Sequence, residues 1–191
     1  MLKAIQIRKA FGDNIVLDGF SHEFADGKVT AVLGKSGCGK STLLNILMGL
    51  MSPDSGDVIR PDGCRLSAVF QEDRLCENLT AGANIRLVTG KRFSKEQIAS
   101  ELKKLGLPGC ENKPARTLSG GMKRRVALLR ALLAEYDVLF LDEPFKGLDS
   151  VTKQIAMEYC KEKIAGKTAV LVTHDKDECG FCADSLIEIS S

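Results

Sequence analysis

The sequence contains no uninterrupted apolar stretch of the roughly 18–20 residues that a helix needs to cross a bilayer. Its start, Met1-Leu2-Lys3-Ala4-Ile5-Gln6-Ile7-Arg8-Lys9, lacks the continuous apolar segment of a secretory signal. Any membrane is therefore expected to be reached through another chain. There is no large charge of either sign: the formal net charge is +2, too small to argue for nucleic acid, and no nucleic-acid partner is expected. Internal repeats, low-complexity tracts and long charge blocks are also missing. The seven cysteines (Cys38, Cys64, Cys76, Cys110, Cys160, Cys179 and Cys182) are odd in number and fall into no disulfide framework, which fits a reducing cytosol. Cys179-Gly180-Phe181-Cys182 is formally a C-x-x-C, but zinc needs a second ligand pair and none is nearby, so no metal or redox role is expected for it.

What is present fits one compact α/β domain. A chain of 191 residues, 44% hydrophobic and 27% charged, is long enough for a real core and ordinary in composition. Short strands are expected around Leu2, Ile5 and Ile7 and around Ile15-Val16-Leu17, with turn signals at Gly12-Asp13-Asn14 and Asp26-Gly27. Val29-Thr30-Ala31-Val32-Leu33, Val138-Leu139-Phe140-Leu141 and Ala169-Val170-Leu171-Val172 are short apolar runs of the kind buried in a parallel sheet. A helix is expected from Lys40 through Leu50, and the stretch of roughly 72–134 reads as mostly helical. Within it Ser94 and Gln97 form a capping box, and the helix they open stops near Gly106 and Pro108.

The three buried runs end alike, one in a glycine loop, one in Asp142-Glu143 and one in Thr173-His174-Asp175. Open parallel sheets bind ligands just beyond the carboxyl ends of their strands. Gly34-Lys35-Ser36-Gly37-Cys38-Gly39-Lys40-Ser41 fits G-x-x-x-x-G-K-[ST], a loop whose backbone N–H groups curl around phosphate oxygens at a helix start. Lys40 is expected to reach the β- and γ-phosphates and the Ser41 hydroxyl to ligate Mg²⁺. Asp142, ending an apolar strand, is placed to hold Mg²⁺ directly or through water, and Glu143 to orient or deprotonate the attacking water.

With Leu118-Ser119-Gly120-Gly121-Met122 the chain resembles the signature segment of ABC-type ATPases. Ser119 can cap a helix running through Leu133, and two glycines at its start expose N–H groups as a second anion site. The resemblance implies a P-loop NTPase fold: a mainly parallel sheet flanked by helices, an N-terminal antiparallel β subdomain, and a helical subdomain at roughly 72–134 carrying the signature. It implies a head-to-tail homodimer in which the P-loop of one subunit, Gly34 to Ser41 with Thr42, and Leu118 to Met122 of the other enclose each ATP. By the same resemblance Gln71 contacts Mg²⁺ and the attacking water, His174 contacts the γ-phosphate, and Asp149 communicates across the dimer. Phe11 taken alone reads either as a core phenylalanine or as a base platform; the resemblance assigns it to stacking on adenine.

Two residues depart from the family pattern: Met122 where glutamine is most frequent, and Lys146 where a small residue is usual. Lys123-Arg124-Arg125 reads as a solvated basic face that also favours nearby phosphate, with no catalytic role.

Gln71-Glu72-Asp73-Arg74-Leu75, Gly120-Gly121-Met122 and Asp142-Glu143-Pro144-Phe145 are similar to bacterial importer ATPases of the nitrate, sulfonate and taurine group. That similarity implies integral membrane permease subunits docking near 72–85, from Glu72 to Ile85, and an extracytoplasmic solute-binding protein in the complex. It also implies a cytoplasmic location, peripheral on the inner face of the membrane. The whole of 1–191 is expected to be one ATPase domain with no C-terminal regulatory domain. The alternative is a soluble, non-transport ABC ATPase, for example in cofactor assembly, whose core motifs would look the same.

Overall fold

A computed structural model describes residues 1–189. At the N-terminus, β1 (Leu2–Phe11) and β2 (Asn14–Phe24) form an antiparallel hairpin, and β4 (Ser55–Ile59) pairs with the free side of β1. Phe11 is opposite Asn14, so the turn is Gly12-Asp13 alone, with Gly12 at φ 59°, as tight hairpins require. Strand β1 buries Leu2 and Ala4 and then Ile7, a change of parity along the strand. The register slips between Ala4 and Ile7, where Gln6 has φ 50°; this bulge returns the apolar side chains to the same face.

The second sheet has five strands in the order β5-β6-β7-β3-β8, all parallel. Its central strands β3 (Val29–Leu33), β6 (Val138–Asp142) and β7 (Thr168–Thr173) are buried at every position. Helices cover both faces, so these strands are continuous apolar runs instead of alternating ones. One face carries Leu139, Leu141, Ala169 and Leu171 into a core shared with the mid-chain helices. The other carries Val138, Phe140, Val170, Val172 and Val32 against α1 (Lys40–Met48) and the antiparallel sheet. Each fully buried Leu, Val or Phe stabilises the fold by about 1.5–3 kcal/mol, which makes the sheet a stiff base for whatever its strand ends carry.

Four helices start where a short polar side chain can satisfy their free N–H groups. Thr80 caps α2 (Ala81–Thr89), Ser94 with Gln97 forms the expected capping box on α3 (Lys95–Lys104), Ser119 caps α4 (Gly120–Leu133), and Asp149 caps α5 (Ser150–Ile164). The helix after the glycine loop stops at Met48, short of the expected Leu50, because Gly49 takes a left-handed C-cap at φ 76°. Strand β5 (Leu66–Val69) and strand β8 (Ser185–Glu188), neither foreseen, are four residues long and too short to show a period. A final short helix, α6 (Lys176–Cys182), lies between β7 and β8 and buries Cys179 and Cys182. Among the described residues no helix is long and apolar enough to cross a membrane.

Candidate nucleotide site

The register brings three strand ends level. Leu33 of β3 sits beside Thr173 of β7, and Asp142 of β6 beside Val172. The glycine loop, Asp142-Glu143 and His174 therefore leave the sheet from neighbouring strands at one edge, as the sequence implies.

Ser36 and Gly37 are exposed in the loop, whereas Cys38, Gly39 and Lys40 are buried. Gly39 has φ 97°, and a Cβ there would lie 2.5 Å from Val16 Cγ1. The position thus demands glycine on two grounds, and the contact seats the β1–β2 hairpin against the loop. Lys40 Nζ donates to the carbonyls of Gly34 at 2.7 Å and Lys35 at 2.8 Å, which folds the ammonium back over the loop's own backbone. Gly34, Lys35, Ser36 and Cys38 line a cleft of about 620 Å³ together with His174 and Lys176. Thr42, the second residue after Lys40 in α1, is half-buried.

A second cleft, of about 520 Å³, is lined by Ser41, Gln71, Asp142 and Lys146 among others. Asp142 is 8% exposed, and its Oδ1 is buried with no hydrogen-bond partner among the described residues. Burial pushes its carboxyl above the ordinary range, opposed by the Ser41 hydroxyl. An orphaned carboxylate oxygen costs free energy unless something occupies it. With the Ser41 hydroxyl and the Gln71 amide on the same cleft, the donor set is hard oxygen, which fits Mg²⁺ completed by water and phosphate oxygens.

Glu143 follows at φ 49°, a left-handed conformation that residues with side chains seldom adopt. Its carboxylate oxygens lie 2.7 and 2.9 Å from His174 Nδ1. The glutamate side chain is 12% exposed and that of the histidine 56%, so Glu143 sits under cover while His174 stands at the rim.

Phe11 is 49% exposed at the end of β1, with Lys9 Nζ 5.8 Å from its ring centre, and this removes the core reading. Leu118 is buried, while Ser119 and Gly120 are exposed and Gly121 and Met122 half-buried. Ser119 Oγ accepts from Met122 N at 3.4 Å, the expected cap. This segment lines neither of the two clefts above. A Cβ on Gly121 would touch Leu148, which places the helix start beside the turn leading to Asp149. Asp149 is exposed and held below the usual carboxylate range by hydrogen bonds from Thr152, side chain first and backbone N–H second.

Two expectations fail. Ile85, the end of the stretch expected to dock, is fully buried in the core, because α2 turns that side toward α4. Lys123-Arg124-Arg125 is not a solvated face. Lys123 pairs with Glu77 at 3.0 Å, and Arg125 donates to the carbonyls of Leu105 at 2.9 Å and Gly106 at 3.1 Å, where α3 ends. Arg124 is 4% exposed. Its Nη2 donates to the carbonyls of Asp142 at 2.6 Å and Glu143 at 2.5 Å, its Nε to that of Pro144 at 3.1 Å, and its Nη1 to that of Phe70 at 2.5 Å. A signal for this was available: Arg124, Ala127, Leu128 and Ala131 stand at i, i+3, i+4 and i+7, so the arginine lies on the helix's apolar stripe.

Residues 17–146 match the protein family described as ABC transporter. The chain is 42% identical to an aliphatic sulfonates import ATP-binding protein, SsuB 1, of Agrobacterium fabrum, over 96% of this chain and 68% of that one. It is 41% identical to SsuB 1 of Shouchella clausii, over 97% of this chain and 75% of that protein. Among solved structures, the dimeric bacterial ABC transporter cassette MJ0796 superposes with a TM-score of 0.84 at 30% identity, covering 99% of this chain and 94% of that one. The post-hydrolysis state of the same cassette, bound to ADP and Pi, gives 0.85 at 30% identity, with 100% and 94% covered.

Proposed function

Since the chain belongs to the ABC transporter family, whose members are ATPases, we propose that it forms a head-to-tail homodimer that binds and hydrolyses ATP to drive solute import through membrane partners. The observation that carries this reading is the level ending of β3, β6 and β7. That ending gathers Lys40 and Ser41, Asp142 and Glu143, and His174, while the second anion-binding helix start at Ser119–Met122 lines neither cleft. A helix start with free N–H groups that cannot serve its own chain's nucleotide is best explained if it serves a partner's.

In this reading Gly34 to Thr42 bind the phosphates, with Lys40 exchanging its two loop carbonyls for β- and γ-phosphate oxygens. Phe11 stacks on the base. Ser41, Gln71 and Asp142 hold Mg²⁺, which neutralises phosphate charge when bound. Glu143 takes the proton of the attacking water, and His174, hydrogen-bonded to that carboxylate, reaches toward the γ-phosphate. Leu118 to Met122 close the site from the partner, and Asp149 lies where the two subunits meet. Residues 1–191 act as one ATPase domain, with 72–134 as its helical subdomain.

The importer assignment is supported by the relatives, which are named as import ATP-binding proteins. Permease docking is assigned to the exposed side chains within 72–85, where Leu79 is 37% exposed and Glu72 is exposed; Leu87 and Val88, 61% and 40% exposed on α2, extend that surface beyond the buried Ile85. The complex sits on the cytoplasmic face of the membrane and receives its solute from an extracytoplasmic binding protein. Aliphatic sulfonates are the first solute class to test.

Glu143→Gln protein loaded with ATP, used to capture partners from detergent-solubilised membranes of the source cell, tests the reading. A multi-spanning membrane protein at matched stoichiometry supports it, and Leu79→Asp is expected to abolish that recovery. Recovery of soluble partners alone overturns the transport assignment.

A further inference from the structure

We infer that Arg124 is a positioning residue for ATP hydrolysis, holding the backbone of Glu143 in the left-handed conformation that aims its carboxylate; this rests on the proposed role of Glu143 as base. Arg124 is too deeply buried to meet a nucleotide. Its guanidinium instead gathers three consecutive carbonyls, those of Asp142, Glu143 and Pro144. Three successive carbonyls converge on one point only if the chain between them curls, and the left-handed Glu143 at φ 49° supplies that curl. Dipoles so arranged repel one another and have no reason to stay together unless a cation stands at their focus.

Apart from Arg124, the backbone of Glu143 is held by main-chain groups: its N–H donates to the Val172 carbonyl at 2.9 Å, and its carbonyl also accepts from Lys146 N at 3.1 Å. Neither fixes the turn on the side where Arg124 sits. With the guanidinium removed, the turn relaxes toward an ordinary conformation and the carboxylate swings away from His174.

The same fork reaches the other half of the site. Arg124 Nη1 donates to the Phe70 carbonyl at 2.5 Å, and more weakly to the Gln71 carbonyl at 3.4 Å and Asp73 Oδ1 at 3.3 Å. One planar side chain thus sets the separation between the loop of Gln71 and the loop of Glu143. The donors of a guanidinium are fixed in one plane and fan outward; an ammonium is a compact point that satisfies fewer carbonyls in such a spread.

The test compares Arg124→Gln and Arg124→Lys with wild type and with Glu143→Gln, using the full chain. Dissociation constants for a fluorescent ATP analogue, kcat from phosphate release and thermal melting are measured on each. Misplacement of a reacting group by about 1 Å costs roughly 10²-fold in rate. Arg124→Gln is expected to lose about 30- to 100-fold in kcat with nucleotide affinity unchanged within about threefold, and Arg124→Lys to fall between it and wild type. A kcat near wild type, or equal losses in affinity and kcat, overturns the inference. If Arg124→Gln does not fold, Arg124→Lys is read by the same criteria. Normal hydrolysis by Glu143→Gln refutes the base assignment itself, whereas an inactive Glu143→Gln beside a fully active Arg124→Gln refutes only the role of Arg124.

Discussion

His174 Nδ1 lies 2.7 Å from one carboxylate oxygen of Glu143 and 2.9 Å from the other, although the residues are 31 positions apart in the chain. The pair joins the ends of β6 and β7 above the loop that follows β3. An imidazole so placed fixes the orientation of the carboxylate.

His174→Ala is therefore expected to lower kcat by about 10²- to 10⁴-fold, the range over which a positioned acid–base group acts, while ATP affinity changes little. Single-turnover phosphate release beside equilibrium nucleotide binding checks this. A parallel loss of both would place His174 in binding rather than in the chemical step.

Lys40 presents the opposite pattern. The residue is 6% exposed and its ammonium is bonded to the carbonyls of Gly34 and Lys35, contacts that the proposed phosphate oxygens would replace. A hydrogen bond to a charged group contributes about 1.5–3 kcal/mol, so Lys40→Ala is expected to weaken ATP binding by about 10- to 150-fold. Titration calorimetry decides it, and unchanged affinity would contradict the phosphate-loop assignment.

At Asp142 stability and activity are opposed. A buried carboxylate with one oxygen unbonded is costly to the nucleotide-free chain. Asp142→Asn removes the charge at constant size and is expected to raise the melting temperature of the nucleotide-free protein in chelator by about 2–4 °C, equivalent to roughly 1 kcal/mol for a chain of this length. The same variant should lose the stabilisation that Mg²⁺ with ATP gives the wild type.

The pH dependence of folding should carry a mark from Glu101. Burial alone pushes its carboxyl up, but hydrogen bonds from Lys104, Tyr159 and Lys163 outweigh that and hold it at about 2. A carboxyl lowered on folding contributes stability that is present above its unfolded value, near 4.5, and lost as the pH falls toward 2. Glu101→Gln is expected to be less stable than wild type at neutral pH by about 1–3 kcal/mol, with the gap closing as the pH drops through that window. Denaturant midpoints at several pH values measure it; a constant gap would mean that the charge is not what matters.

What the sequence made legible was whatever depends on near neighbours. The runs of β3, β6 and β7, the capping box at Ser94 and Gln97, the cap at Ser119 and the phosphate loop all follow from spacings of a few residues. What it concealed depends on distant partners. Tyr159 donates to Glu101 from 58 residues away, and nothing near either residue announces the contact. Ile85 reads as accessible until α4 is seen to cover it. Arg124 was masked by composition: between a lysine and another arginine it resembles a wetted patch, and only its step relative to Leu128 and Ala131 betrays that it points inward.

Helix α4 begins at Gly120, and Arg124 stands four positions later. At about 1.5 Å per residue, the exposed N–H groups at the start and the side chain that clasps the Glu143 turn are about 6 Å apart along the axis. Over one hydrogen-bonded turn the rise is fixed by the helix geometry, so the two ends move together. A phosphate gripped at its tip by one subunit's neighbour would set the height of a carboxylate in the other nucleotide site. In the proposed dimer, what one nucleotide site passes to the other would then be displacement rather than charge, carried by a single turn of helix.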